Sequence, residues 1–455
     1  MAKTIKLNKG FNINLAGKAE KKLGSAIQPE TFALKPSDFQ GMYMPKVVVK
    51  EGDTVKAGTP IFYDKGMEKA MYCSPVSGEV AAIVRGDKRK LLEVRILADK
   101  QIEYLPFNKY SVSDLVKLSK EDALARMLEG GVWPQIIQRP YGVVANPSDS
   151  PKSIFISGFD SHPLAPDYGF IFKDQEKYLQ AGIDILAKFT KKIHFNLNSD
   201  GEIPSVFAHI KNAEVNKIIG KHPAGCVGVQ IHHIEPINKG ETVWTLNPYG
   251  VIQIGKLFLE GIYDASKIIA VTGSSVKNPQ YYKTYMGASV KKFLDNNLNE
   301  DNVRVISGNV LTGEAIGKEG YLGYYDHQLT IIPEGNRARF FLSDGWLAPT
   351  SRLSYHRAFG LLSFLSGNKE RVLDTNTNGE ERAFVITGAF EDVTPMDILP
   401  TYLIKAILSE DFEEMEALGI LEVIEEDLAL CEFIDVSKHP IQEILRKGIN
   451  LMREA

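Results

Sequence analysis

Residues 1–100 contain short apolar runs separated by glycines, among them MPKVVVKEGDTV, TPIFYD, GEVAAIVRG and LLEVRIL. Apolar runs of strand length that end at turn residues are typical of β-strands. In VKEGDTVKAGTPIF, Gly52 and Asp53 provide a tight turn between two such strands. The pattern therefore predicts a small β-sandwich, which we assign to residues 1–100.

A helical pattern begins after this sandwich. The stretch SVSDLVKLSKEDALARMLEGG is predicted to be helical, with Ser119 and Asp122 as capping residues and a glycine pair at its end. Strand and helix patterns then alternate through residues 152–260: KSIFISGF and KKIHFNLN are predicted strands, QEKYLQAGIDILAKF and IQIGKLFLEG are predicted helices, and CVGVQIHHI is predicted as a further strand. Such alternation favours a parallel α/β sheet, and we assign this domain to residues 101–258.

Two further units complete the pattern. Glycine-rich β-runs such as SKIIAVTGSS, VRVISGNVLTG and LTIIPEG predict a small α+β unit, assigned to residues 259–345. Residues 346–455 are predicted to be mostly helical, with breaks at Thr394-Pro395 and at Pro400. The chain is thus predicted to be an α/β multidomain protein.

Composition narrows the classes of partner. The chain has 57 acidic and 53 basic residues, a net charge of −4, which leaves no basic footprint for nucleic acid. Its apolar runs fall well short of the roughly 20 residues of a membrane span, and the N-terminal MAKTIKLNKGFNINLAG lacks the apolar core of a signal peptide.

Widely spaced Cys73, Cys226 and Cys431 argue against a disulfide framework and fit a reducing compartment. Dense acidic residues between Glu391 and Asp435 are either a solvated helix face or a docking face for a basic partner.

Nucleotide-binding motifs are missing from the sequence. No two glycines are spaced G-x-G, so the dinucleotide fingerprint is absent. The nearest phosphate-loop pattern, Gly308 to Gly313, continues with Glu314 and Ala315 where lysine and serine or threonine are needed. We therefore predict neither a catalytic residue nor a cofactor-binding residue from motifs.

Metal and nucleophile patterns are also weak. His232 and His233 lie on the predicted strand and should point to opposite faces. Three other histidines precede prolines, which is typical of turns rather than of ligands: His162, His222 and His439. Cys226 has no patterned base beside it and is predicted to be a structural thiol. No metal site is predicted.

Several stretches, taken together and in order, resemble one family over essentially the whole chain. They are EGDTVKAGTPIF…SPVSGEV, KHPAG…GVQIH, TGSSVKNPQ…MGASV, TNTNGEERA, PMDILPTYL and EEDLALCEF. Each is weak alone, but in number and order they resemble the A subunit of sodium-translocating NADH:quinone oxidoreductases. That family is similar to the C subunit of Rnf complexes and to the flavin-bearing subunit of respiratory complex I.

The resemblance implies four modules: an N-terminal barrel-sandwich hybrid like that of biotinyl and lipoyl carriers, a Rossmann-like α/β domain, a β-grasp domain of the soluble-ligand-binding type, and a C-terminal helical domain like a ferredoxin module. It also implies that their cofactors have been lost. In EGGVWPQIIQRP, Val132, Trp133, Pro134 and Gln135 stand where the relatives have a flavin-binding glycine loop. In PMDILPTYLIKAIL and CEFIDVSKHPIQEILR, only Cys431 remains of the ligands for iron–sulfur clusters.

The resemblance to carrier domains extends to the hairpin YDKGMEKAMYCSPVSGEV. In carriers the modified lysine lies at the hairpin tip, at a set distance before the proline of the second strand. Counted back from Pro75, that position is Met67, between Lys65 and Lys69. Methionine has no amine to acylate, so we predict the fold of a carrier domain without its prosthetic group.

The resemblance implies a peripheral subunit on the cytoplasmic face of the bacterial inner membrane, docked on the other subunits of the sodium pump and chiefly on its membrane-bound B subunit. It implies no cofactor in this chain, since FAD, FMN, riboflavin and iron–sulfur centres would belong to other subunits, and it leaves a contribution to quinone access open.

Trp133, His222, Pro223 and Gly225 are predicted to line a remnant of the lost flavin cleft on the quinone side, with packed loop residues as the simpler alternative. Two other functions stay open: a stand-alone flavin- or NAD-dependent oxidoreductase with a carrier-like N-terminal domain, and an assembly scaffold.

Overall fold

The computed structural model describes residues 3–336, 353, 355 and 369–455. Predictions that fall on residues 337–352, 354 and 356–368, within the third and fourth predicted domains, lie outside the described residues. Among the helices of the described ranges, none combines the length and the apolar character that a membrane crossing requires.

Two small sheets form the N-terminal unit, which follows the short strands β1 (Thr4–Lys6) and β2 (Glu20–Leu23). Its strands are β3 (Thr31–Leu34), β4 (Pro45–Val47), β5 (Thr54–Val55), β6 (Pro60–Asp64), β7 (Met67–Cys73), β8 (Gly78–Arg85) and β9 (Leu91–Ala98). One antiparallel sheet has the order β3-β9-β8-β5 and the other the order β4-β6-β7. Phe62 and Val94, one from each sheet, are completely buried, and the predicted β-sandwich is confirmed.

The hairpin between β6 and β7 turns at Lys65 and Gly66, so the prediction that Met67 marks its tip is wrong. The Asp64 carboxylate holds the turn by accepting hydrogen bonds from the backbone N–H groups of Met44 (3.0 Å) and Gly66 (3.2 Å). Because β7 already begins at Met67, the exposed Lys65 is the residue that the turn presents to solvent.

The second unit is built on a seven-stranded sheet. Besides β1, its strands are β10 (Ile137–Arg139), β11 (Val143–Val144), β12 (Ser153–Ser157), β13 (Ile193–Asn198), β14 (Glu214–Ile219) and β15 (Val243–Leu246). The strand order is β1-β14-β13-β12-β15-β10-β11, with parallel pairs from β1 to β15 and antiparallel pairs beyond β15. The predicted parallel α/β sheet is confirmed, and its near-continuous apolar strands are typical of a sheet covered on both faces.

Helices flank this sheet: α1 (Val112–Lys117), α2 (Lys120–Glu129), α3 (Tyr168–Ile171), α4 (Glu176–Leu186), α5 (Val227–Ile234) and α6 (Pro248–Glu260). The Ser119 hydroxyl caps α2 by accepting a hydrogen bond from the N–H of Asp122 at 3.0 Å, as predicted. The helices predicted from QEKYLQAGIDILAKF and IQIGKLFLEG correspond to α4 and α6.

Helix α5 overturns the strand predicted for CVGVQIHHI. The segment is apolar at most positions, so its period does not separate a buried strand from a buried helix. His232 and His233 are therefore consecutive residues of a helical turn, and they do not face opposite sides of a strand. His232 Nδ1 lies 2.7 Å from the Glu422 carboxylate, and His233 Nε2 lies 2.7 Å from the carbonyl oxygen of Pro395.

The third unit contains a six-stranded sheet of order β19-β18-β20-β16-β17-β2. Besides β2, its elements are β16 (Ser266–Thr272), β17 (Gln280–Tyr285), α7 (Lys291–Leu294), β18 (Val303–Ser307), β19 (Glu314–Ala315) and β20 (Gln328–Pro333). Since β1 pairs with β14 and β2 pairs with β17, these two strands belong to the sheets of the second and third units and not to the N-terminal sandwich.

In the C-terminal region the described residues form five α-helices: α8 (Ala389–Val393), α9 (Pro400–Leu408), α10 (Phe412–Ala417), α11 (Glu425–Ile434) and α12 (Ile441–Glu454). The predicted breaks hold, because α8 ends before Thr394 and α9 begins at Pro400. These helices share a hydrophobic cluster with residues of α5, while a larger cluster joins the first three units.

A buried lysine lies in the centre of the third sheet. Lys267, on β16, is 4% exposed, and its ammonium donates hydrogen bonds to the carbonyl oxygens of Tyr324 (2.9 Å) and Asp326 (2.8 Å). Burial lowers the pKa of Lys267 to about 7, against the opposing charges of Asp326 and Asp38. Between pH 7 and the usual pKa of 10.5, the unfolded chain holds a proton on this lysine that the folded chain has released. Folding stability therefore rises with pH in this window.

We expect this rise to disappear in Lys267→Met. Relative to that variant, the free energy of unfolding of the wild type should increase by up to about 1.4 kcal/mol per pH unit above pH 7. Urea unfolding at several pH values in this window measures the slope. Lys283→Met, on the exposed face of neighbouring β17, is the matched control and should keep the wild-type slope. A slope that is equal in Lys267→Met and the wild type would contradict the assignment.

Candidate functional site

A cleft of about 720 Å³ opens past the carboxyl ends of β12, β13 and β14. The loops that follow these three strands form its walls, and residues 12–15 of the N-terminal segment close one side. In open parallel α/β sheets, ligands bind outside the carboxyl ends of the strands. The cleft is therefore the candidate functional site of the second unit.

Three of the four residues predicted for a remnant cleft lie in the loop after β14. His222 lines the cleft, and Pro223 follows it through a cis peptide bond. The backbone N–H of Gly225 donates a hydrogen bond to Ser161 Oγ at 2.8 Å, which ties this loop to the loop after β12. The fold thus brings two loops that are distant in sequence into direct contact at the base of the cleft.

Trp133, the fourth predicted residue, lies apart from them in the core. It is completely buried, and its indole Nε1 donates a hydrogen bond to the carbonyl oxygen of Ala145 at 2.7 Å. Its ring packs edge-on against Trp244 of β15, with centroids 5.4 Å apart. It is not among the residues that line the cleft, so the structure does not bring it together with His222.

Two histidines and a cysteine meet at the base of the cleft. His162 Nε2 lies 4.0 Å from Cys226 Sγ, and the rings of His162 and His222 have centroids 4.6 Å apart. One donor atom from each of these three side chains can be chosen so that all lie within 4.8 Å of one another. His162 Nδ1 donates to the Asp160 carboxylate at 2.7 Å, and His222 Nδ1 lies 3.0 Å from Ser161 Oγ. Imidazole and thiolate are ligand types that transition metals prefer.

Burial sets the protonation of these groups. It lowers the pKa of His222 to about 3, and the neighbouring His162 adds to this effect. For His162, burial opposes the charge, but the Asp160 carboxylate outweighs burial and raises the pKa above its usual value. Burial raises the pKa of the Cys226 thiol well above its usual range, and nearby carboxylates raise it further. The protein alone therefore holds a neutral His222 imidazole beside a protonated Cys226 thiol.

An ion triad with two buried members and one half-buried member lies directly behind this cluster. Arg139, at the end of β10, donates hydrogen bonds to Asp427 at 2.8 Å and to Glu426 at 2.7 Å, both on α11. Arg139 and Asp427 are 1% and 2% exposed. Cys226 Sγ lies 3.7 Å from the carbonyl oxygen of Glu426. The triad therefore joins the α/β sheet to the C-terminal helices at the base of the cleft.

Carboxylates dominate the walls of the cleft. Among the described residues, the charged side chains that line it, apart from histidine, are five acids and one lysine: Asp160, Asp167, Asp200, Glu202, Glu370 and Lys18. Lys21, on β2, pairs with Asp167 at 2.6 Å. A cleft with this surplus of negative charge repels a pyrophosphate and attracts cations.

A second cavity, of about 690 Å³, lies between the third sheet and the C-terminal helices. Its walls are largely aliphatic and aromatic, with contributions from Ile13, Leu15, Ile306, Val310, Leu311 and Phe433. Ten other lining residues among those the structure describes are polar or charged: Arg304, Asp374, Thr375, Asn376, Thr377, Asn378, Glu432, Lys438, His439 and Gln442. Apolar walls combined with polar groups are typical of sites for small organic ligands.

Sequence reasoning missed Asp160, Ser161 and His162. The interpretation of His162 and His222 as separate turn or core histidines omitted the contact between them. The available signal was position, because polar residues just past the end of a buried strand meet those of the neighbouring parallel strands. The sequence motif search could not find this cluster, since 64 residues separate His162 from Cys226.

Models of three protein domain families match this chain. They are the NqrA N-terminal barrel-sandwich hybrid domain over residues 5–99, the NqrA second alpha/beta domain over residues 118–263, and the NQRA C-terminal domain over residues 268–317. The first two of these matches confirm the predicted barrel-sandwich and α/β domains. This order of domains is that of an NqrA-type protein.

Full-length relatives identify the family. The A subunit of the Na(+)-translocating NADH-quinone reductase of Alcanivorax borkumensis is 37% identical over 448 residues, 98% of each chain. The corresponding subunit of Neisseria meningitidis serogroup B is 37% identical over 452 residues, 99% of each chain, and that of Haemophilus influenzae strain 86-028NP is 36% identical over 449 residues, 98% of each chain. The chain therefore belongs to the family of the A subunit of the Na(+)-translocating NADH-quinone reductase, and the resemblance inferred from its motifs is confirmed.

A distant likeness to a solved structure adds nothing to this identification. An NAD⁺-reducing [NiFe]-hydrogenase in the air-oxidized state aligns with a TM-score of 0.38 and 10% identity, over 78% of this chain and 67% of that chain. A likeness this weak supports no argument about fold or function.

Proposed function

We propose that the chain is a peripheral, non-catalytic subunit of a sodium-translocating NADH–quinone reductase and holds no flavin, nicotinamide or iron–sulfur centre of its own. The names of its relatives supply the reaction of the whole complex. The observation that carries the proposal is the acidic cleft. Asp160 closely follows β12, where a dinucleotide-binding sheet has its glycine-rich phosphate turn. A carboxylate at this position disfavours a pyrophosphate.

Strand order supports the finer assignments of two units. The parallel strands β14-β13-β12-β15 have the 3-2-1-4 order of a Rossmann-like sheet. In the third unit, β16 and β20 are parallel and central, the antiparallel partners β17 and β18 lie outside them, and α7 follows the first hairpin. This arrangement supports a β-grasp domain.

The C-terminal helices support a ferredoxin-like module that has lost its clusters. The stretches with this resemblance form α9, the end of α11 and α12. Cys431, on α11, is 1% exposed, lies 3.4 Å from the Thr394 hydroxyl, and has its pKa raised to about 12 by burial. A single buried thiol cannot supply the four ligands of an iron–sulfur cluster.

We also infer that the chain docks on the membrane-bound part of the reductase, chiefly on its B subunit, at the cytoplasmic face of the inner membrane. Its family membership supports this inference, because its relatives are named as one subunit of a larger reductase. A tag on this chain should therefore recover the membrane subunits in detergent at a constant ratio, with cross-links to the B subunit.

The isolated chain provides the discriminating measurement. We expect no visible absorption, no flavin after acid extraction, and no oxidation of NADH. A stand-alone flavin- or NAD-dependent oxidoreductase would instead show bound flavin or NADH turnover. An assembly scaffold would be missing from the active, purified complex, and either of these results would overturn the proposed role.

A second role, quinone access, is favoured by the apolar cavity of about 690 Å³. A photoreactive quinone bound to the whole complex should label peptides that contain Ile306, Leu311 or Phe433. The remnant cleft predicted from sequence is the competing location, and label on the peptide of His222 to Gly225 would favour it. The Trp133 peptide is the internal control, since that side chain is completely buried. Label in neither cavity would refute quinone access through this chain.

A further inference from the structure

The donor atoms at the base of the cleft are oriented as in a metal site. The Asp160 carboxylate accepts from His162 Nδ1 at 2.7 Å, so Nε2 of His162 faces Cys226 Sγ, to which it makes a weak hydrogen bond at 4.0 Å. Metal-binding histidines usually donate their other ring N–H to a carboxylate or carbonyl group in this way, because that bond fixes the tautomer and the ring orientation.

His222 supplies an unexplained buried atom. The residue is 1% exposed, and its Nε2 has no hydrogen-bond partner among the described residues. Its Nδ1 lies 3.0 Å from Ser161 Oγ, which already accepts a hydrogen bond from Gly225 and can accept a second one from this ring. A buried polar atom without a partner has lost its hydrogen bonds to water without gaining others. A cation between His222, His162 and Cys226 would satisfy it.

Charge around the three side chains favours a cation. Asp160, Glu426 and Asp427 supply three carboxylates, against the single guanidinium of Arg139. The cleft above, which both His162 and His222 line, has five acidic side chains and one lysine. A divalent cation would therefore be drawn into the cleft and would offset negative charge at its base.

We propose that His162 Nε2, His222 Nε2 and the Cys226 thiolate bind a divalent transition metal of the zinc type. Two imidazoles and one thiolate suit this class of ion, and three protein ligands leave a fourth position, on the cleft side, for water. In tetrahedral zinc geometry a sulfur and a nitrogen ligand lie about 3.6 Å apart, so the 4.0 Å between Cys226 Sγ and His162 Nε2 has to close by about 0.4 Å. The widest separation among the three donor atoms, within 4.8 Å, has to close by about 1 Å, through side-chain rotation on binding. On binding, the S–H bond of Cys226 breaks and the sulfur–metal bond forms, while any proton on His162 Nε2 is replaced by the nitrogen–metal bond; these protons leave to solvent.

The test uses the full chain after removal of metals by a chelator. Dialysis against Zn²⁺ is expected to leave one bound equivalent, and Co²⁺ should produce a thiolate-to-metal charge-transfer band. X-ray absorption of the zinc-loaded wild type should show one sulfur at about 2.3 Å and two imidazole nitrogens at about 2.0–2.1 Å. The inference does not depend on the role proposed for the chain in the reductase, since the readout is metal content and spectrum.

Variants assign the ligands. Cys226→Ser should abolish the charge-transfer band, and Cys431→Ser, at another buried cysteine, should retain it. Asp160→Asn, which weakens the orientation of His162, is expected to reduce the affinity by about 10–100-fold. The proposal is overturned if the wild type retains no metal, if its spectrum contains no sulfur ligand, or if the band survives in folded Cys226→Ser.

Discussion

Replacing Arg139 by methionine is expected to lower the free energy of unfolding by about 3–5 kcal/mol. The Arg139 guanidinium donates to Asp427 at 2.8 Å and to Glu426 at 2.7 Å, across the junction between β10 and α11. Asp427 is 2% exposed. Removal of the guanidinium therefore leaves a buried carboxylate without its cation, which costs more than the pair itself contributes. Urea unfolding followed by circular dichroism measures the loss.

Lys447→Met is the matched control for this substitution. Lys447 pairs with Glu410 at 2.7 Å, but the two side chains are 58% and 54% exposed. Such a pair contributes only about 0–1 kcal/mol because water and salt screen it. Addition of Asp427→Leu and Glu426→Gln to Arg139→Met should restore most of the stability, since no charge of the triad then remains and only the hydrogen bond from the Ile424 N–H to Asp427 is lost. A loss in Arg139→Met as small as that of the control would show that the triad does not hold the junction together.

Replacing Gly255 by alanine is expected to destabilise the α/β domain by about 3 kcal/mol. Helix propensity alone predicts the opposite sign, a gain of about 1 kcal/mol. However, a Cβ at Gly255 would lie 1.9 Å from the carbonyl oxygen of Tyr178 on α4, and a Cβ at Gly182 would lie 2.0 Å from that of Val251 on α6. The two helices cross in backbone contact at these glycines. Backbone atoms cannot rotate away, so the helices must separate and lose packing over the sheet.

Gly201→Ala is the control, because a Cβ at Gly201 has no atom within 4 Å and the residue needs no positive φ. Its effect should stay within about 0.5 kcal/mol. The double variant Gly182→Ala with Gly255→Ala should cost less than the sum of the two single variants, since the first separation of the helices already makes room for the second methyl group. A stabilising effect of Gly255→Ala would mean that the helices do not cross this closely.

Local patterns predicted most of the α/β domain but not α5. KSIFISGF and KKIHFNLN are strand-length runs with turn residues around them, and QEKYLQAGIDILAKF is long and amphipathic. In each case the length of the run and the period of its apolar residues indicate the same element. CVGVQIHHI is short and mostly apolar. Its helix is decided by contacts outside the segment: Gln230 donates to Ser157 at 2.9 Å and accepts from Asn196 at 2.9 Å, while His232 contacts Glu422 at 2.7 Å.

Local patterns also failed to predict where the N-terminal strands lie. β1 and β2 are short and lie on either side of an irregular stretch, and nothing in their sequence indicates which sheet they extend. Their partners β14 and β17 lie in the second and third units. Similarly, a count of residues placed the tip of the carrier-like hairpin at Met67, whereas the bonds accepted by Asp64 place the turn at Lys65 and Gly66.

The family, the broad α/β class, the central parallel sheet and the lack of dinucleotide and phosphate-loop motifs could all be predicted from the sequence, because they depend on residue type, local period and the order of motifs. The candidate site could not, because it depends on contacts between distant parts of the chain. His162 and Cys226 are 64 residues apart, and Arg139 is 288 residues from Asp427. Parallel strands return each following loop to the same edge of the sheet. Residues that share no sequence motif therefore come into contact there, and this contact produces their burial and their charged surroundings.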